Sequence, residues 1–128
     1  MKSFYVLTIL LFFCLTSCEK GIFSSSREKD LEELANLKKE IDELSAQVTC
    51  TNAADWKFIA LGDKACGGPT GYVAYSTKID ETAFLKKINF YTDKQKAFNI
   101  KWSIISDCSL ILPPKSIDCV NGKSKLVY

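Results

Sequence analysis

Histidine is absent from the 128 residues, which removes the commonest general base and metal ligand near neutral pH. No serine stands in the G-x-S-x-G turn that exposes a hydrolase nucleophile. Gly122-Lys123-Ser124 copies only the end of a phosphate-binding loop; Ile117 stands where the first glycine is required, and no helical pattern follows. A strong charge of one sign is missing too, since 17 basic and 15 acidic residues leave a net charge of +2. That balance excludes a general nucleic-acid binder, whose footprint is a basic patch. There is no Cys-x-x-Cys pair from which a four-thiolate zinc site would start. No apolar run reaches the about 20 residues that cross hydrocarbon, and neither a repeat nor a low-complexity tract occurs.

What the chain does have begins at its N-terminus. Met1-Lys2 is a positive start, Phe4 to Leu15 is apolar except for Thr8, and small Thr16 and Ser17 lead to Cys18. This is the order of a secretory signal. Leu15-Thr16-Ser17-Cys18 resembles the lipobox of bacterial membrane lipoproteins, a likeness that covers the first 18 residues. The resemblance implies removal of residues 1–17, a diacylglyceryl thioether on Cys18 and an amide-linked acyl chain such as palmitate on the new amino terminus. Each buried methylene contributes roughly 0.8 kcal/mol, so two or three chains hold a protein where one would not. Cys14 would leave with the signal.

Four cysteines then remain besides Cys18: Cys50, Cys66, Cys108 and Cys119. An even set in a small exported domain predicts two disulfides. Three pairings are open, and the sequence-local one, Cys50–Cys66 with Cys108–Cys119, is the expectation.

The remaining chain divides into a lipidated leash (18–26), a helical spacer (27–49) and a globular head (50–128). Ser25 and Glu28 have capping-box spacing. Leu34, Leu37, Ile41, Leu44 and Val48 step by three and four, a heptad-like stripe that predicts a coiled-coil-like amphipathic helix over Arg27–Val48, about 33 Å long. That stripe can pack on the head or pair weakly with a second copy; in either case the helix is read as lifting the head from the bilayer. Residues 18–49 carry five basic and eight acidic groups and residues 50–128 carry 11 and seven, a split that suggests two parts with separate jobs.

In the head, Trp56–Leu61 and Tyr72–Tyr75 predict strands. Ile79 to Lys101 predicts the main helix, with Asp80 and Glu81 at its start and room for a break at Thr92–Gln95. Its lysines Lys86, Lys87, Lys94 and Lys96 read as the wet face, with a membrane-surface role as the alternative. Ile104-Ile105 predicts a short strand before Cys108. Asn121-Gly122 is a strong hairpin signal, pairing Ile117 with Leu126, Asp118 with Lys125 and Cys119 with Ser124. The fold class is therefore α+β: an N-terminal helix, then a disulfide-stapled domain of one main helix on a short, mostly antiparallel sheet with a C-terminal hairpin.

No acid–base couple stands out among the carboxylates of the head. Gly67 and Gly68 before Pro69 read first as a tight reversal beside a disulfide; with Tyr72 and Tyr75 they are the candidate partner-binding surface. Cys66-Gly67-Gly68-Pro69 and Ser106-Asp107-Cys108 resemble small domains of other bacterial lipoproteins, a likeness that implies no activity. The expected function is a non-enzymatic lipoprotein at the bacterial cell envelope, first at the outer membrane. It is held to the membrane by Cys18 and presents an interaction domain to an envelope or extracellular protein. The second expectation is an inhibitor of a lysozyme or protease acting through a stapled loop, the glycine loop or Leu112–Lys115. No cofactor, metal or nucleic acid enters either reading.

Overall fold

The computed structural model describes residues 22–128, with side chains from Ser26 onward. The signal segment, Cys18 and the first part of the leash lie outside the described residues. The elements are α1 (Ile22–Ser45), a 3-10 turn (Ala53–Asp55), β1 (Trp56–Leu61), β2 (Gly71–Ser76), α2 (Glu81–Lys101), β3 (Ser116–Val120) and β4 (Lys123–Val127). The fold is α+β with antiparallel strands, as expected. The strands form two separate two-stranded ribbons, however, rather than one sheet.

The β1–β2 ribbon is the middle layer, and its period-2 alternation feeds both of its faces. Ile59, Leu61, Val73 and Tyr75 meet the helices in a core with Ile41, Phe84, Ile88 and Tyr91. Trp56, Phe58 and Ala74 meet the β3–β4 hairpin through Ile117 and Leu126. Neither ribbon alone would be stable in water; each is covered by what lies across it.

The stripe of α1 is turned into that core. Leu34, Leu37 and Leu44 pack against it and Ile41 is 0% exposed. Of the two destinations open to the stripe, packing on the head is the one found: α1 is part of the folded unit, because its apolar face is the cover that the helical side of the ribbon requires. The helix runs about 36 Å and starts at Ile22, so Ser25 lies inside its span. It stops at Ser45, short of Val48, which joins the hairpin cluster.

The unequal charge of the two halves also has a local explanation. Asp30, Glu33 and Glu40 of α1 pair with Lys101, Lys94 and Lys87 of α2. Acidic α1 and basic α2 are complementary faces of one antiparallel pair, not separate parts. Lys87 and Lys94 are therefore not a free wet face, although Lys86 and Lys96 remain exposed.

α2 begins where Asp80 accepts the Ala83 N–H at 2.9 Å. It runs unbroken through Thr92 and Gln95, whose side chains accept the N–H groups of Gly62 (3.2 Å) and Asp63 (3.0 Å) as the chain leaves β1. Gly62 has φ +75°, and a Cβ there would stand 2.2 Å from Thr70 Oγ1 and 2.3 Å from Gln95 Oε1, so only glycine fits. The hairpin has the register read from the sequence, with Asn121 at φ 52° and Gly122 at φ 77°. Ile104-Ile105 is irregular chain rather than a strand.

The cysteines pair as Cys50–Cys119 and Cys66–Cys108. This corrects the sequence-local expectation. Cys50 follows α1 and its N–H donates to Gly122 O at 2.8 Å, so the hairpin folds back beside it and brings Cys119 into reach. All four cysteines among the described residues are thereby paired.

Candidate functional site

The five residues proposed to meet a partner do not form one surface. Gly67 (φ 91°) and Gly68 (φ 83°) are exposed at the tip of the β1–β2 loop. There Lys64 N–H donates to Gly68 O and Gly67 N–H to Lys64 O, both at 2.8 Å, which makes the tight reversal expected beside a disulfide. Pro69 is half-buried. Tyr72 is half-buried, with its ring edge-on to Phe58 on the hairpin face.

Tyr75 points the opposite way. It is buried against Phe84, and its hydroxyl donates to Glu81 at 2.8 Å. Burial first, then the Glu81 carboxylate, push the phenol up to about 12. As a partner-binding residue Tyr75 is thus corrected; three positions from Tyr72 on a strand, it must face the other layer. Glu81 also accepts Lys57 Nζ at 2.9 Å, and that contact, followed by Tyr75, holds its carboxyl below the usual range. Among the described residues the most exposed aromatic rings, Phe90 and Tyr128, lie within α2 and just beyond β4, away from the glycine turn in sequence.

The polar cluster that sequence reasoning missed joins the β1–β2 loop to the segment after α2. Lys64 is buried, and its ammonium donates to Ser109 O (2.7 Å) and Ser109 Oγ (3.1 Å) and pairs with Asp107 Oδ1 at 3.0 Å. The Ser109 hydroxyl donates to Asp107 Oδ2 at 2.8 Å. Lys64 first, then Ser109, hold the Asp107 carboxyl below its ordinary value. Cys66 N–H donates to Ser106 Oγ at 3.2 Å, and Asn99 Nδ2 donates to Asp63 O at 2.8 Å. The Cys66–Cys108 disulfide closes the seam covalently.

A serine hydroxyl beside a lysine imitates a nucleophile and its base. Here, though, the three acceptors around Lys64 match the three donors of an ammonium, and the hydroxyl hydrogen is directed to Asp107. The cluster is a clamp. It leaves an open groove of about 360 Å³ along Thr70, Gln95, Asn99, Ile104 and Ile111.

Around the clamp, apolar side chains stand in solvent. Ile100 is 72% exposed, Ile105 94%, Leu110 82% and Leu112 63%. The signal for them was present in the apolar pairs on either side of Cys108. Ile104-Ile105 was read as a strand because nothing local tells a short apolar run that is buried from one left outside. Among the described residues, no group of His, Cys, Asp and Glu gathers as a metal site, and no helix is long and apolar enough to cross a membrane. No protein-family model, curated protein or solved structure matches the chain.

Proposed function

We propose that the chain is a bacterial membrane lipoprotein, cut before Cys18 and acylated there, that holds a non-catalytic interaction domain at the cell envelope. The lipobox Leu15-Thr16-Ser17-Cys18 supports the anchor, and two intramolecular disulfides suit an oxidising compartment. The observation that carries the non-enzymatic reading is the closure of Lys64, Asp107 and Ser109 on one another, which turns a hydroxyl–amine pair into a clamp. The domain acts through the surface that this clamp and Cys66–Cys108 stiffen, the segment 103–112 against the β1–β2 loop. Cys18→Ser in the producing bacterium tests the anchor. The variant is expected to lose acylation and leave the membrane fraction; a variant that stays in that fraction unchanged would reject it.

The inhibitor reading keeps one observation in its favour. Leu110 and Leu112 project from a covalently stapled loop, as a plug for an enzyme cleft would. Stoichiometric block of a lysozyme or protease by the native chain, abolished by Leu110→Asp, is the outcome that would put this reading first.

A further inference from the structure

The N-terminal end of α1 and the exposed apolar loop lie at the same end of the molecule. Asp30 accepts hydrogen bonds from Lys101 Nζ at 2.6 Å and Trp102 Nε1 at 2.9 Å, while Glu40 meets Lys87 fifteen residues back from Trp102. The third turn of α1 therefore sits beside the last turn of α2. From there the chain enters the 103–112 segment, which Lys64 and Cys66–Cys108 fix to the β1–β2 loop. The hairpin and Cys50–Cys119 belong to the opposite end, beyond Ser45 of α1.

Only residues 19–21 separate Cys18 from Ile22, the first residue of α1. Four extended steps reach at most about 14 Å. The chain outside the described residues is thus short enough to keep the proposed acyl chains at the end of the molecule where Ile100, Ile105 and Leu110 stand in water. Lys96, exposed one turn before Ile100, suits headgroup phosphates, and the charge of Asp107 is met by Lys64.

We infer that this end is a membrane-seating surface: Ile100, Ile105 and Leu110 enter the boundary between headgroups and acyl chains, and the hairpin end faces away from the bilayer. This rests on acylation of Cys18 and names the bilayer itself as the partner of the stapled surface. Ile22 lies about 12 Å beyond Asp30 along α1, so the helix pair lies obliquely on the membrane rather than standing upright. A four-residue leash allows that tilt. The disulfide and the clamp then hold apolar side chains outward on a loop that would otherwise fold them in.

The test uses the full processed chain with labelled Ile and Leu methyl groups in phosphatidylcholine–phosphatidylglycerol nanodiscs that carry a doxyl lipid labelled near the headgroup. The methyl signals of Ile100, Ile105 and Leu110 are expected to broaden severalfold more than those of Ile79 and Ile117 at the hairpin end. Ile105→Asp with Leu110→Asp should leave the chain folded and bound to discs but remove the difference. Equal broadening at both ends, on a chain that elutes with the discs, would overturn the seating surface, leave the anchor standing and free the loop for a protein partner. A chain that elutes apart from the discs would overturn the anchor, and the seating surface with it.

Discussion

The two ends of the molecule carry the same covalent device in opposite surroundings. At the hairpin end Cys50 is buried among Trp56, Ala74 and Ile117, and Cys119 packs on the same cluster. At the other end Cys66 and Cys108 are both exposed, beside a polar clamp and isoleucine and leucine side chains in water. One disulfide is a component of a core. The other stands in for a core, fixing a segment that buries too little apolar surface to hold itself. A region built in the second way is organised to present side chains.

The strongest way to break this comparison is to remove each disulfide separately. With sequence separations of 69 and 42, loop-closure entropy alone assigns about 4.4 and about 4 kcal/mol, nearly the same. The difference between the ends must then come from packing. Cys50→Ala with Cys119→Ala is expected to cost more than about 4 kcal/mol and to prevent folding at 37 °C. Cys66→Ala with Cys108→Ala should cost less, because the clamp still holds the segment. Equal losses in denaturant titrations would contradict the contrast. Stepwise reduction of the native chain should also label Cys66 and Cys108 first.

Ile41→Ala comes next, at about 2–5 kcal/mol, since Ile41 is fully enclosed in the layer between the ends. If α1 were a detached spacer the cost would be near zero, so a thermal unfolding scan separates the two arrangements. Lys64→Met should be smaller in global terms, a fall in Tm of about 4 °C or less. It should nevertheless raise amide exchange across 103–109 by about tenfold or more while the hairpin is unchanged. Equal exchange at both ends would remove the clamp from the account.

The smallest effects come from pH. Asp30, Glu81 and Asp107 have lowered carboxyl values, so each contributes stability that is full above the ordinary carboxylate range, about 4. That contribution is lost as pH falls through the lowered values. Tyr75 runs the other way. Its phenol is raised from 10.0 to about 12, so its contribution is full below 10.0 and is lost as pH rises through about 12. Alkali near pH 12 should therefore loosen the Tyr75–Glu81 contact at the start of α2. Ultraviolet titration of tyrosinate together with amide exchange at the start of α2 measures it.

How much of this was legible in the sequence follows the range of the interactions. The hairpin could be read to the residue, because Asn121-Gly122 needs positive φ and a two-residue turn fixes the register. The strand Trp56–Leu61, the middle of β2 (Tyr72–Tyr75) and the helix after Asp80 were legible from local pattern and the acidic residues at the helix start. The disulfide pairing was not, since residues 69 and 42 apart meet only once all three layers have assembled. The stripe on α1 was visible while its target was not; periodicity names a face and says nothing of what covers it. The charge split misled for the same reason, because Asp30, Glu33 and Glu40 find their lysines 47 to 71 residues away. Within the candidate site the glycine turn was legible. The clamp of Lys64, Asp107 and Ser109 was hidden, because its members belong to two loops more than 40 residues apart that meet only in the folded chain.

Acylation of one cysteine decides whether the two ends differ in what they face, and the intact mass of the native protein from membranes reads it directly. The expected mass is that of residues 18–128 plus a diacylglyceryl group and an amide-linked acyl chain, with both disulfides closed and fragment ions placing the added mass on Cys18. A mass that retains residues 1–17, or a mature chain with Cys18 unmodified, would contradict the account.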